Sequence, residues 1–151
     1  MRQNVPTEHW EQTQLFAWAE NFRELDQMYA IPNGGHRDIR VAVKLKEEGV
    51  KAGVPDICLP LPRGGKHGLY IELKRRKYGR VSADQLKWLE ALMREGYACA
   101  VCCGWERARD VIEDYLRGEY DGQAGVPAGK QGASDAQVGA GDGRSAVRRR
   151  L

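Results

Sequence analysis

No apolar run in this 151-residue chain is longer than the one from Tyr97 to Cys103, which falls far short of the roughly 20 residues needed to cross a bilayer. A membrane-spanning helix is therefore not expected. The opening stretch, MRQNVPTEHWEQ, holds no apolar segment of the kind a secretory leader needs. The expected compartment is the cytoplasm, where the four cysteines would stay reduced. Charge of one sign is scarce as well. Residues 117–151 carry six basic and four acidic side chains, which leaves 18 against 17, a net of +1, for residues 1–116. Global charge therefore selects no partner, and any electrostatic footprint has to be local. His9, His36 and His67 show no ligand spacing. Cys99 and Cys102 form a CxxC, but a strand puts its i and i+3 side chains on opposite faces, so they are expected to be buried small hydrophobes and not a zinc or redox pair. No internal repeat is visible.

What the chain does have is enough for one core, with 42% hydrophobic and 30% charged residues. Residues 118–151 depart from this: they hold 8 of the 18 glycines among mostly small and polar residues. Such a stretch cannot bury enough apolar surface to offset its ordering entropy. A disordered tail is expected from residue 117, ending in the basic Arg148-Arg149-Arg150.

Upstream, periodicity predicts alternating elements. Thr7 is placed to cap a helix over 8–23 whose apolar face is Leu15, Trp18, Ala19 and Phe22. A short strand at 28–31 stops at Pro32-Asn33-Gly34-Gly35, and a helix over 37–48 with Ile39, Ala42 and Val43 on one side ends at Gly49. Strands at 54–59 and 69–74 flank the turn Arg63-Gly64-Gly65-Lys66 and are close enough to pair as a hairpin. Ser82 and Gln85 form a capping box for a helix ending at Gly96, followed by a strand at 97–103 and a helix at 106–116. The strand–helix–strand unit over 69–103 should bring its two strands parallel. The order α-β-α-β-β-α-β-α predicts an α/β fold, a mixed sheet flanked by helices.

Within that plan one strand carries chemistry. In Leu69-Tyr70-Ile71-Glu72-Leu73-Lys74, alternation puts Leu69, Ile71 and Leu73 on one face and Tyr70, Glu72 and Lys74 on the other. Asp56 interrupts the apolar stretch Val54 to Leu59, where an acid needs a cation, backbone donors or a metal. If the two strands form a hairpin, Asp56 and Glu72 become neighbours across the ladder, and like charges there repel. Lys74 or a divalent ion can offset them. On spacing alone, an ordinary surface ion cluster fits these three residues equally well.

Val54-Pro55-Asp56, then Glu72-Leu73-Lys74, resembles the PD-(D/E)xK nuclease signature. Together with Glu8 and Gln12, Ile31-Pro32-Asn33-Gly34-Gly35, Gly53, and Ser82 with Gln85, the set is similar to the stand-alone VRR-NUC domains of phages and bacteria. The resemblance covers roughly residues 5–116, giving an expected nuclease domain over 1–116 and a tail over 117–151. It implies a restriction endonuclease-like core and a Mg²⁺- or Mn²⁺-dependent DNA endonuclease. It also implies action on branched DNA, in the manner of a Holliday-junction resolvase, as a homodimer. In the implied site Asp56 and Glu72 ligate the ion with the Leu73 carbonyl, and Glu8 completes the acidic set. Lys74 orients or deprotonates the attacking water and offsets transition-state charge, and Gln85 supports the water or the lysine. Two assignments have competitors. Glu8 shares a helix face with Gln12, Leu15, Ala19 and Phe22, while Glu11 lies on the neighbouring row with Leu15, Trp18 and Phe22. For Gln85, membership of the capping box is a sufficient reason by itself.

Lys74, Arg75, Arg76, Lys77 and Arg80 follow the candidate strand directly, where a phosphate backbone passing the ion would meet them. Arg37 and Arg40, Lys44 and Lys51 extend the candidate DNA surface, as do Arg63 and Lys66. No helix shows a base-reading pattern, which favours recognition by shape over recognition by sequence. Two other functions share these residues. One is a non-catalytic DNA-binding module, against which the full acid-and-lysine set speaks. The other is a sequence-specific restriction-type endonuclease, for whose specificity element the chain has little room.

Overall fold

A computed structural model describes residues 5–32, 39–77, 79–123 and 125–126. Thr7 caps the first helix, α1 (Glu8–Ala19), by accepting a hydrogen bond from the Trp10 amide at 3.1 Å. α1 ends before the expected residue 23, because the Asn21 side chain donates to the carbonyls of Ala17 and Trp18 and closes the last turn. A single 3₁₀ turn, Arg23–Leu25, then swings Leu25 and Met28 into the core, while Phe22, expected on the buried face, stays exposed with its ring against Trp18.

Next come β1 (Tyr29–Ala30), α2 (Ile39–Glu47), β2 (Ile57–Leu59), β3 (Leu69–Lys74), α3 (Ala83–Arg94), β4 (Ala98–Cys103) and α4 (Trp105–Leu116). The strands form one mixed sheet in the order β1-β2-β3-β4. The first two pairings are antiparallel and β3–β4 is parallel, as the helical crossover requires. The expected α/β architecture is the observed one.

Alternation sorts the sheet faces. Ile57, Leu59, Leu69, Ile71 and Leu73, with Ala98, Ala100 and Cys102, pack against Leu15 and Ala19 of α1 and Ala108, Val111, Ile112 and Tyr115 of α4. α3 lies on the other face, where Leu89 is fully buried and its carbonyl sits 3.7 Å from the Cys99 sulfur. Deleting a side chain such as Leu15 or Ile71 would cost about 2–5 kcal/mol. The face of α2 expected to be buried is not: Ala42 is exposed and Val43 is 53% exposed.

The folded part also does not stop at Leu116. Tyr120 donates its hydroxyl to the Cys99 carbonyl at 2.7 Å, and the Cys99 amide donates to the Gly122 carbonyl at 3.1 Å. Gly125 lies so close that a Cβ there would sit 2.3 Å from the Val101 oxygen. This segment covers the outer edge of β4 and satisfies backbone groups that an edge strand would otherwise leave open. The later part of the expected tail, 127–151, lies outside the described residues.

Candidate active site

The loop that delivers Asp56 is clamped on α3. Gly53 has φ +84°, and a Cβ there would lie 2.7 Å from the Asp84 backbone, so a side chain would push the loop off the helix. The Trp88 ring nitrogen donates to the Ala52 carbonyl at 3.1 Å and fixes the same contact. β2 is shorter than expected because Pro55 has no amide proton and the Asp56 side chain takes over the ladder: its Oδ2 accepts the Leu73 amide at 2.8 Å. The Asp56 carbonyl meanwhile accepts the Ile31 amide at 2.7 Å, which holds the loop to the β1 side.

With Ile57 opposite Ile71, the register sets Asp56 beside Glu72. Glu72 is only 1% exposed and has unequal oxygens. Its Oε1 accepts from Lys74 Nζ at 2.7 Å and from Gln85 Nε2 at 2.5 Å. Its Oε2 is buried without a hydrogen-bond partner among the described residues. Burial, followed by the charge of Asp56, lifts Glu72 to about 7 against the pull of Lys74. Asp56 is raised as well, first by burial and further by the charge of Glu8, with the Leu73 amide and Lys74 opposing. Gly79 crosses directly over the lysine, where a Cβ would come within 2.7 Å of Lys74 Cβ.

Two facing carboxylates and an orphaned buried oxygen call for a positive partner beyond Lys74: a proton, or a hard cation that takes carboxylate oxygens. Asp56, Glu72 and the neighbouring Leu73 carbonyl make a donor set of that chemistry. Gln85 fills both of the roles weighed for it, since its Oε1 accepts the Ser82 amide at 2.8 Å in the capping box while its Nε2 holds Glu72. Among the described residues no three His, Cys, Asp or Glu side chains form a metal-holding group, so without an ion Glu8 stands apart from the Asp56 and Glu72 pair. It is exposed in the first turn of α1 and reaches Asp56 by charge alone.

The profile of the VRR-NUC domain family matches residues 2–105, more than half of the chain. The chain belongs to the VRR-NUC domain family. A solved structure described as a VRR_NUC domain protein is similar to it at 32% identity and a TM-score of 0.67, over 80% of this chain and 97% of that one. No curated protein matches it. The family profile stops at the start of α4, although α4 supplies Ala108, Val111, Ile112 and Tyr115 to the core of this VRR-NUC domain.

The rival acid, Glu11, has a different occupation that the sequence did not disclose. It is 0% exposed, accepts from Arg76 Nε at 2.8 Å and from the Trp105 amide at 2.9 Å, and so caps α4 from another helix. Arg76 also pairs with Glu106. Arg76, expected to contact DNA, thus has its guanidinium committed to two carboxylates. Of the other expected DNA contacts, Arg75, Lys77 and Arg80 are exposed around the end of β3 and the loop beyond it, and Arg37 lies outside the described residues. The one sequence signal for this VRR-NUC clamp was an acid on an apolar helix row, which has to find a partner.

Proposed function

We propose that this chain is a divalent-metal-dependent endonuclease that hydrolyses DNA phosphodiester bonds, selects branched DNA by shape and acts as a homodimer. The observation that carries the reading is the buried Glu72 Oε2 beside Asp56, without a partner among the described residues, with Lys74 on the other oxygen, in a VRR-NUC domain. Asp56, Glu72 and the Leu73 carbonyl would hold Mg²⁺ or Mn²⁺. Such an ion supplies Lewis acidity and lowers the pKa of water.

The protein's own residues do the rest. Gln85 and Lys74 saturate one oxygen of Glu72 and leave the other available. Lys74, kept in place by its 2.7 Å contact with Glu72, offsets charge developing on the phosphoryl oxygens or orients the attacking water. Glu8 adds negative potential that draws a cation toward Asp56. Arg75, Lys77 and Arg80 bind backbone phosphates without reading sequence. Symmetric cutting of a four-way junction needs two active sites, which a C2 dimer provides.

The test is a labelled panel of duplex, flap, splayed and four-way DNA incubated with Mg²⁺, Mn²⁺ or EDTA, with the cuts mapped. The expected result is metal-dependent cutting near branch points. Cutting that persists in EDTA, or no cutting on any substrate with either ion, overturns the catalytic reading. Discrete fragments from plain plasmid DNA would replace shape by sequence. A monomer in sedimentation that still resolves junctions symmetrically removes the dimer.

A further inference from the structure

The sheet face that carries Glu72 has a second row of residues. Tyr70 precedes Glu72 on the same face of β3, and it pairs with Cys58 of β2, which pairs in turn with Tyr29 of β1. At the β4 end the same row is covered, since Cys99 is buried beneath Leu89 of α3. At the β1 end it is open: Tyr29 is 49% exposed and Tyr70 half-buried, with Cys58 closed off at 3%.

Ring contacts order one end of this row: Tyr70 and Tyr97 meet nearly at right angles with centroids 5.3 Å apart, and Tyr97 is itself met by His67 at 5.7 Å. Tyr29, at the other end, is exposed, and an exposed aromatic face is a ready surface for another flat group. Successive same-face positions on a strand are about 7 Å apart. A nucleotide whose phosphate lies at Asp56 and Glu72 therefore carries its base within reach of the tyrosine row. A base inside a duplex is already stacked on both sides, so the occupant has to be unpaired. Stacking on a phenol ring does not depend on which base is present.

We propose that Tyr29 and Tyr70 form a stacking platform for an unpaired base of the cut strand, adjoining the phosphate at Asp56 and Glu72. The inference rests on the nuclease reading of that site and deepens it, since it makes an unpaired nucleotide beside the cut the feature that the protein recognises. The carboxylates take the phosphate through the ion they would hold, and the row of tyrosines takes the base.

Binding measured with Ca²⁺ in place of Mg²⁺ or Mn²⁺ keeps a hard cation for the carboxylates and the phosphate to share, and separates the platform from catalysis. A splayed duplex with one unpaired arm and a blunt duplex of the same sequence are titrated by fluorescence anisotropy with the full chain, Tyr29→Ala and Tyr29→Phe. Tyr29→Ala should lower the splayed-to-blunt affinity ratio by about fivefold or more, whereas Tyr29→Phe, which keeps the ring, should hold it within about twofold. With 5-iodouracil as the unpaired nucleotide at the fork, irradiation should give an adduct on Tyr29 or Tyr70. An unchanged ratio for Tyr29→Ala, or adducts only on other residues, overturns the platform. A wild-type chain that shows the Tyr29-dependent ratio yet cuts nothing with Mn²⁺ would sink the nuclease reading and leave the platform standing.

Discussion

Glu11 and Glu72 are both essentially sealed from solvent, yet only one of them is fully satisfied. Both oxygens of Glu11 are taken up, by the Arg76 guanidinium and the Trp105 amide. Glu72 has Lys74 and Gln85 on Oε1 and no partner for Oε2 among the described residues. A buried acid with both oxygens engaged holds elements together; one left half-engaged beside a second carboxylate stores unfavourable energy that a cation can release. The difference makes Glu11 a structural acid and, under the proposed function, leaves Glu72 free to take an ion.

The sharpest way to break this contrast is to remove each charge in turn. Glu72→Gln should lower DNA cleavage by about 10³-fold, the scale of losing a group that stabilises developing charge, while changing thermal stability little, because relief of the burial cost and of the repulsion from Asp56 offsets the lost pair with Lys74. Glu11→Gln should do the reverse. Leaving Arg76 and the α4 terminus without their acid should cost about 3 kcal/mol, a fall in melting temperature of roughly 10 °C, with the remaining folded protein still able to cut. Calorimetry and a cleavage assay on both variants check this. If Glu72→Gln melts early and Glu11→Gln does not, the assignment of the two acids is inverted.

pH sharpens the same comparison. Glu72 is lifted to about 7 in the folded chain from the ordinary value of 4.5. The folded state therefore keeps a proton that the unfolded chain has lost, and the stability from this group, present in full below pH 4.5, declines as pH rises toward 7 and is gone above it. Denaturant titrations from pH 4 to 8 should show that decline, and Glu72→Gln should flatten it. At pH 8 saturating Mn²⁺ should restore stability by roughly 3 kcal/mol at 100 times its dissociation constant, for the wild type and not for Glu72→Gln. A Mn²⁺ response of equal size in both would place the ion elsewhere.

Gln85 joins local structure to the site and should show an intermediate effect. Gln85→Ala loses its half of the capping box, about 1 kcal/mol, and frees Glu72 to rotate, so cleavage should fall by about tenfold. Glu72 is held through the Gln85 Nε2 group, so Gln85→Glu should keep the box but not rescue cleavage. Equal cleavage by Gln85→Ala and wild type would reduce the residue to a cap.

Where neighbours in sequence are neighbours in space, the sequence was legible. Alternation over 69–74 set the bounds of β3 and its two faces, the Ser82–Gln85 box set the start of α3, and the hairpin register alone put Asp56 beside Glu72. The failures share a cause. Glu11 and Arg76 meet across 65 positions, and Glu11 and Trp105 across 94, so their bond depends on how α1 settles on β3 and α4, which no local pattern encodes. The segment 118–123 carries little apolar surface besides Tyr120 and meets the edge of β4 through the Tyr120 hydroxyl and the Gly122 carbonyl, leaving a composition that reads as tail. For Glu8, helical spacing gives a direction toward the sheet without a distance, so the sequence leaves open how near it comes to Asp56 and Glu72.

The smallest expected effect lies in the cations. Arg75, Lys77 and Arg80 are exposed, whereas Arg76 is tied to Glu11 and Glu106. Each phosphate neutralised by an exposed cation contributes close to one unit to the slope of log affinity against log salt. Arg75→Ala or Lys77→Ala should therefore weaken DNA binding a few-fold, uniformly across sequences, and flatten that slope by about one. Arg76→Ala should leave the slope nearly unchanged and lower the melting temperature, because what it loses is the partner of Glu11. Anisotropy titrations from low to moderate salt, with a melt of each variant, distinguish the two kinds of cation. A slope change for Arg76→Ala as large as for Arg75→Ala would mean that DNA draws Arg76 away from its carboxylates, making the clamp a site that DNA binding opens.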